Sequence, residues 1–226
     1  MIKAVFFDLD NTLVDFMRMK KEAVKAAVAA MLDAGHEMSY KDTYMSIMKI
    51  YDQEGIEYQT VFDHFLKAHY GTINHKMLAA SVVAYRRSRD ATLVLYPHVT
   101  ATLMKLVKLG IKLAVISDAP VKQVWLRLCY LNLHNYFDTV IATEETGEPK
   151  PSPLPFHLAM ERLKIDPTEA LMLGDWPERD IAGANNVGIK TVFARYGAVH
   201  DLDRSGATYE IEDISEIIGI VSGLNN

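Results

Sequence analysis

An apolar run near the start of the chain ends in two aspartates, and this feature constrains the fold more than any other. Residues 4–7 are Ala, Val, Phe and Phe, and Asp8, Leu9 and Asp10 follow them directly. A short apolar run bounded by polar residues predicts a strand that is buried on both faces of a parallel sheet. Ligands of open α/β sheets bind at the carboxyl ends of the strands, so we expect both aspartates to face a site. Taken alone, the segment could equally be a strand that ends in a solvated acidic turn.

Two carboxylates this close together repel each other, which would drive one of them to stay protonated. A divalent cation removes this conflict. Sites built from oxygen atoms with few protein ligands suit Mg²⁺, which can also bridge to a substrate phosphate. The pair formed by Asp8 and Asp10 therefore predicts a magnesium site.

The residues after this segment follow helical spacing as far as about Asp90. We predict four helices, at residues 17–34, 40–53, 59–69 and 75–87. A wholly helical block between two halves of an α/β pattern is most simply a small inserted domain. We therefore divide the chain into an α/β core domain, residues 1–14 and 91–226, and a helical domain, residues 15–90.

Strands and helices alternate in the rest of the chain. Further strands are predicted at residues 111–116, 139–142, 170–173, 189–194 and 208–211. This spacing predicts right-handed crossovers and a Rossmann-like parallel sheet flanked by helices, so the fold class is α/β. The segment from Glu144 to Pro153 is predicted to be a loop because it is rich in proline.

Three of the predicted strands end in polar residues, namely Asp8 with Asp10, Ser117 with Asp118, and Gly174 with Asp175. The carboxyl ends of parallel strands lie at one edge of a sheet, so these residues should converge on one pocket. Lys150 should join them from a loop that its prolines stiffen, although this lysine could also be a purely structural ion-pair partner. A nucleophile, an acid/base, a hydroxyl, a cation and a metal site together match phosphoryl transfer.

These motifs resemble those of the haloacid dehalogenase superfamily of hydrolases, and the resemblance covers essentially the whole chain. The matching motifs are D-x-D-x-T from Asp8 to Thr12, the strand-ending Ser117, the lysine of Lys150-Pro151, and G-D-x-x-x-x-D from Gly174 to Asp180. The helical insertion similarly resembles the family's helical cap class, the C1 type. One departure is Asn11, where relatives often have glycine. Because asparagine tolerates unusual backbone angles, we expect little effect on the chemistry.

The resemblance implies a catalytic role for several matching residues. Asp8 would attack phosphorus and form an aspartyl-phosphate, while Asp10 would act first as general acid and then as general base. Ser117 and Lys150 would bind the phosphoryl oxygens of the substrate.

The remaining matches imply a metal site and its support. Mg²⁺ would be held by Asp8, the backbone carbonyl of Asp10 and Asp175, with Asp180 supporting them. Thr12 would secure the turn after the first strand. Asp118 would either contact the substrate or, as its position before a helix favours, cap that helix.

The resemblance thus implies a Mg²⁺-dependent phosphatase whose partner is a small-molecule phosphate ester, such as a sugar phosphate, glyceraldehyde 3-phosphate or phosphoglycolate. A phosphomutase, a phosphonatase and a non-catalytic binding module stay open as alternatives. A dehalogenase is disfavoured because relatives with that chemistry lack the second aspartate. Substrate choice should depend on the cap, although its candidates Arg18, Lys20, Lys21 and His64 have a surface position as the favoured interpretation.

Composition narrows the possible partners further. The net charge of -5 argues against nucleic acid, and no apolar stretch approaches the roughly 20 residues of a membrane span. The N-terminus lacks the pattern of a signal peptide. The single cysteine, Cys129, excludes an internal disulfide and is expected to be buried. These features predict a cytoplasmic protein.

Overall fold

A parallel sheet of six strands lies at the centre of one of two compact units in the computed structural model, which describes residues 1–199 and 204–226. The α/β unit consists of Met1–Asp15 and Val94–Asn226, and the helical unit consists of Phe16–Leu93. We describe each unit separately.

The sheet contains β1 (Ala4–Phe7), β2 (Lys112–Ser117), β3 (Thr139–Ala142), β4 (Ala170–Gly174), β5 (Lys190–Ala194) and β6 (Tyr209–Ile211). Their order is β3-β2-β1-β4-β5-β6, and every neighbouring pair is parallel. Phe7 of β1 lies between Val115 of β2 and Leu173 of β4. All four residues of β1 are fully buried, which explains the unbroken apolar run. The predicted fold class is confirmed.

The helical unit contains α1 (Phe16–Asp33), α2 (Tyr40–Glu54), α3 (Val61–Tyr70) and α4 (His75–Thr92). α1 packs against α2 and α4, and α3 packs against the same two helices. The unit has its own apolar core, in which Ile47, Phe65 and Leu66 are buried. Its expected role as a cap stays a prediction.

Lys20 of α1 is 3% exposed, so the prediction of a surface position for this residue is wrong. Its Nζ lies 4.1 Å from the centre of the Tyr51 ring and 5.5 Å from that of Tyr85. Aromatic faces attract a desolvated ammonium, and the lysine stem is itself apolar. The ring faces that surround Lys20 come from two other helices, so helical spacing within α1 does not reveal them.

The α/β unit carries α5 (Val99–Lys108), α6 (Val121–Tyr130), α7 (Thr143–Thr146), α8 (Leu154–Leu163), α9 (Ala182–Asn186) and α10 (Ile217–Asn225). Phe156 of α8 joins the buried cluster with Phe6 and Met172 of the sheet. The short α7 corrects the predicted loop at its beginning. Acidic residues occupy its first turn and Gly147 ends it at φ 73°, whereas the prolines begin only at Pro149.

Cys129 is exposed, so the prediction of a buried thiol is wrong. The buried residues of α6 are Val124, Arg127 and Leu128, and the residue after Leu128 turns away from that face. Within the described ranges, we find no helix whose length and apolar character would suit a membrane span. The cytoplasmic location stays a prediction.

Candidate active site

The carboxyl ends of β1, β2 and β4 bring the predicted residues together. Asp8 follows β1 and its backbone N–H donates to the Leu173 carbonyl over 2.9 Å, which extends the pairing with β4. Asp175 follows β4, and a short π-helix from Pro177 to Ile181 carries Asp180. Carboxylate oxygens of Asp8, Asp175 and Asp180 lie within 4.8 Å of one another, and all three residues are buried. A buried acidic cluster therefore lies at this edge of the sheet.

Lys150 lies among these carboxylates. Its Nζ donates to Asp8 Oδ1 over 2.6 Å, to Asp180 Oδ1 over 2.6 Å and to the Ile116 carbonyl over 2.8 Å. These contacts use all three donors of an ammonium group. Burial alone would lower the pKa of Lys150, but Asp180 and Asp8 outweigh burial and raise the pKa above its usual value. Lys150 is thus held charged, and it must exchange a protein partner if it is to bind a phosphoryl oxygen.

The cluster has more negative charge than one lysine can balance. Burial raises the pKa of Asp8 to about 8, because the opposing effect of Lys150 is partly cancelled by repulsion from Asp180 and Asp10. Burial also raises the pKa of Asp175 to about 9, reinforced by Asp8 and Asp180. Each shift reports the free-energy cost of holding these carboxylates ionised side by side. A further cation bound at the cluster would lower this free-energy cost.

The donor set fits Mg²⁺. Carboxylate oxygens are the ligands that this ion prefers, and the buried cluster supplies them within reach of one centre. Asp8, Asp175 and the carbonyl of Asp10 would hold the ion, as predicted from the sequence. Asp180 is itself a member of the cluster, where it also accepts from the Trp176 backbone N–H over 3.0 Å.

Glycines make the close approach of these segments possible. A Cβ on Gly174 would lie 2.3 Å from Asp180 Cγ, and a Cβ on Gly197 would lie 1.6 Å from the Asn11 carbonyl oxygen. Asn11 has φ 61°, the left-handed conformation that asparagine adopts more readily than most residues. The turn after β1 therefore depends on Gly197 and Asn11, and the position of Asp180 depends on Gly174.

Thr12 links this turn to the acidic cluster. Its hydroxyl donates to Asp175 Oδ1 over 3.1 Å, and its carbonyl accepts from the Tyr196 hydroxyl over 2.8 Å. Thr12 is fully buried. The contacts accord with the role of securing the turn, and they also orient Asp175.

Ser117 and Asp118 lie at the end of β2. Ser117 is buried, and its hydroxyl accepts from the Ala119 N–H over 3.2 Å. Asp118 Oδ1 accepts from the Lys150 backbone N–H over 2.9 Å, and its Oδ2 pairs with Arg179 at 3.3 Å. The N-cap of α6 is Pro120, without a side-chain cap, so the interpretation of Asp118 as that cap is wrong. Asp118 instead holds the loop that carries Lys150.

Arg127 is a residue of the site that none of the sequence motifs predicted. Its Nη1 donates to Asp10 Oδ2 over 2.6 Å, and the arginine side chain is 8% exposed. A signal was present, because Val124, Arg127 and Leu128 share one helical face and the outer two are apolar. An arginine on the apolar face of the helix that follows Ser117 indicates a buried acidic partner.

Known proteins resemble this chain over nearly its whole length. The family model of haloacid dehalogenase-like hydrolases matches residues 2–188. A protein of Methanopyrus kandleri named glyceraldehyde 3-phosphate phosphatase is 38% identical over 99% of each chain. A protein of the same name from Methanocaldococcus jannaschii is 33% identical over 99% of each chain. The solved structure of a HAD phosphatase from Thermococcus onnurineus, 25% identical, covers 98% of this chain and 99% of its own, with a TM-score of 0.69.

Proposed function

This chain belongs to the haloacid dehalogenase-like hydrolases, and on that premise we propose that it is a Mg²⁺-dependent phosphatase of small phosphorylated metabolites. The observation that carries the proposal is the buried cluster of Asp8, Asp175 and Asp180 with Lys150 inside it. The cluster offers a carboxylate nucleophile, a fixed cation and oxygen ligands for a metal at one edge of the sheet.

In the first step, a carboxylate oxygen of Asp8 attacks phosphorus while the bond from phosphorus to the ester oxygen breaks. Asp10 gives its proton to that leaving oxygen, so the products are an alcohol and an aspartyl-phosphate. Lys150 holds Asp8 Oδ1 at 2.6 Å and so limits the orientations of the nucleophile.

In the second step, Asp10 takes a proton from a water molecule that attacks the aspartyl-phosphate, which releases inorganic phosphate and restores Asp8. Ser117 and Lys150 bind the phosphoryl oxygens through both steps. Asp8, Asp175 and the carbonyl of Asp10 would hold Mg²⁺, which would supply neutralisation of the negative charge at the phosphoryl group.

Glyceraldehyde 3-phosphate is the first candidate substrate, because two relatives that match the chain from end to end carry the name of its phosphatase. We assign the choice among substrates to the helical unit, as the resemblance to cap-bearing relatives implies. The presence of Asp10 supports ester hydrolysis over dehalogenation, since ester cleavage needs a proton for the leaving oxygen.

The test is a panel of phosphate esters assayed for free phosphate with Mg²⁺ and with EDTA. We expect phosphate release in Mg²⁺ alone, fastest for glyceraldehyde 3-phosphate and slower for phosphoglycolate and hexose phosphates. Asp166→Asn, which alters an exposed carboxylate of the same unit, serves as the matched control and should keep full activity. Failure to release phosphate from any ester would contradict the proposal, and conversion of a sugar 1-phosphate into its 6-phosphate would indicate a mutase instead.

A further inference from the structure

We propose that Arg127 is a positioning residue for Asp10 and holds its carboxyl group where, once protonated, it can give the proton to the leaving oxygen. The inference rests on the proposed function and adds a residue to it. None of the four sequence motifs includes Arg127, which lies inside α6. Its ion pair with Asp10 joins residues that are 117 positions apart in the chain.

The contact has the properties of a strong, orienting interaction. Arg127 Nη1 and Asp10 Oδ2 are 2.6 Å apart, and their side chains are 8% and 20% exposed. Hydrogen bonds between two charged groups are short and about twice as strong as neutral ones. A planar guanidinium also fixes the direction of the bond, which a flexible ammonium does less well. One oxygen of Asp10 is thereby held in a defined place.

Arg127 is carried by a helix, α6, that packs firmly into the core of the α/β unit. α6 begins four residues after the end of β2, and Val124 and Leu128 on the same face are fully buried. The Arg127 carbonyl accepts from the Leu131 N–H over 3.0 Å at the end of the helix. Sites built on helices that pack firmly into a core hold their side chains more closely than loops do.

At this site, Lys150 and Arg127 contact different carboxylates. Lys150 donates to Asp8, Asp180 and a carbonyl, whereas Arg127 donates to Asp10. Asp8 and Asp10 repel each other. A separate cation for each holds the two carboxylates in separate orientations, one for attack on phosphorus and the other for proton transfer.

If Arg127 only stabilises the fold, its removal should lower kcat/KM equally for all esters. If it positions Asp10, the loss should depend on how much the leaving group needs a proton. An alkyl ester such as glyceraldehyde 3-phosphate needs its leaving oxygen protonated, whereas 2,4-dinitrophenyl phosphate releases a stable anion. The ratio kcat/KM covers the steps up to departure of the leaving group. We expect Arg127→Met to lower kcat/KM about 100-fold for the alkyl ester and less than about threefold for the dinitrophenyl ester.

Four further proteins complete the experiment: two single variants, Arg127→Gln and Arg162→Met, and Asp10→Asn with and without Arg127→Met. Arg127→Gln, which is polar but uncharged and too short to reach Asp10 in the same way, should show the same selective loss. In an Asp10→Asn background, Arg127→Met should cause no additional loss on the alkyl ester, because it acts through Asp10. Arg162→Met removes another arginine of the same unit, paired with Glu145, and should leave the ratio between the two esters unchanged.

Equal losses on both esters, no loss on either, or additive losses in the Asp10→Asn background would overturn the role of Arg127 and leave the phosphatase proposal intact. If the unmodified protein released phosphate from neither ester, the phosphatase proposal would fall and the role of Arg127 with it.

Discussion

The two units of this chain bury polar groups in different ways. In the α/β unit, the charged side chains of Asp8, Lys150 and Asp180 contact one another directly and are almost fully buried. In the helical unit, Lys20 lies over aromatic rings, and the His36 ring lies within hydrogen-bond distance of hydroxyl groups. Buried ion pairs often stabilise a fold less than apolar residues of the same size would. This contrast supports our proposal that the buried charges of the α/β unit serve catalysis, whereas the buried polar groups of the helical unit serve its packing.

The largest effect should follow from removing the nucleophile. We expect Asp8→Asn to abolish phosphate release, because the covalent route no longer exists. Asp10→Asn should lower kcat by about 10² to 10⁴-fold, the usual contribution of a general acid/base. Steady-state phosphate release measures both, with Asp166→Asn as control. Turnover by Asp8→Asn at the unmodified rate would break the assignment of catalysis to the acidic cluster.

Metal removal should affect the α/β unit and leave the helical unit unchanged. We expect EDTA to silence turnover and Mg²⁺ to restore it. Ca²⁺ should fail to do so, because its longer bonds and higher ligand number misplace Asp8 against phosphorus. Hydrogen exchange followed by mass spectrometry should show that Mg²⁺ protects the segments around Asp8 and Asp175 but not α1–α4. In Asp175→Asn this protection should be lost, and equal rates in EDTA and Mg²⁺ would contradict the metal site.

A cavity in the helical unit should destabilise that unit without removing the chemistry. Leu66 of α3 is fully buried, so Leu66→Ala should lower the free energy of opening of the helical unit by about 2–5 kcal/mol. Hydrogen exchange of α1–α4 measures this change. Met45→Ala, at a position 59% exposed, is the control and should change it by less than about 0.5 kcal/mol. Under native conditions, loss of dinitrophenyl phosphate hydrolysis in folded Leu66→Ala would show that the two roles are not separable.

The smallest effect should come from acidification of the helical unit. Burial, with His69 nearby, lowers the pKa of His36 against the weaker opposing effect of Glu37. The folded unit therefore holds His36 neutral, while the unfolded chain takes up the proton first as the pH falls below about 6.5. The contribution of His36 to stability is present above that pH and is lost as the pH falls through the lowered pKa.

Thermal unfolding at a series of pH values between about 7.5 and 5 tests this sign. In His36→Gln, the stability of the helical unit should fall less steeply as the pH is lowered. His98→Gln, which alters a histidine of the α/β unit, should leave the opening of α1–α4 as pH-dependent as before. A steeper acid dependence in His36→Gln would show that the folded unit favours the protonated ring.

The strands and motif positions could be predicted from the sequence because their signals are local. The apolar run of β1 and the polar residues that end three strands follow from burial on both faces and from the geometry of parallel sheets. The roles of the individual site residues stay predictions, although the structure brings most of them to one edge of the sheet.

What could not be predicted depends on partners distant in sequence. Lys20 is buried because rings from α2 and α4 reach it, and Asp118 is engaged by the Lys150 loop rather than by the helix that follows. Cys129 lies within an apolar stretch, yet it is exposed while its neighbour Leu128 is buried. Local composition does not determine which face of a helix or strand will be covered by another part of the chain. For Arg127, the apolar face of its helix indicated burial but did not identify Asp10 as its partner.

The central position of β1 has a consequence for the order of folding during synthesis. β1 leaves the ribosome first among the strands, yet its neighbours β2 and β4 begin only at Lys112 and Ala170. In sequence, the helical unit lies between β1 and β2, so all four of its helices emerge before either neighbour of β1. We therefore expect α1–α4 to fold while β1 is still exposed. The apolar segment that leads to the nucleophile then stays unpaired until β2 and β4 have emerged, and exposed apolar segments of this kind favour aggregation.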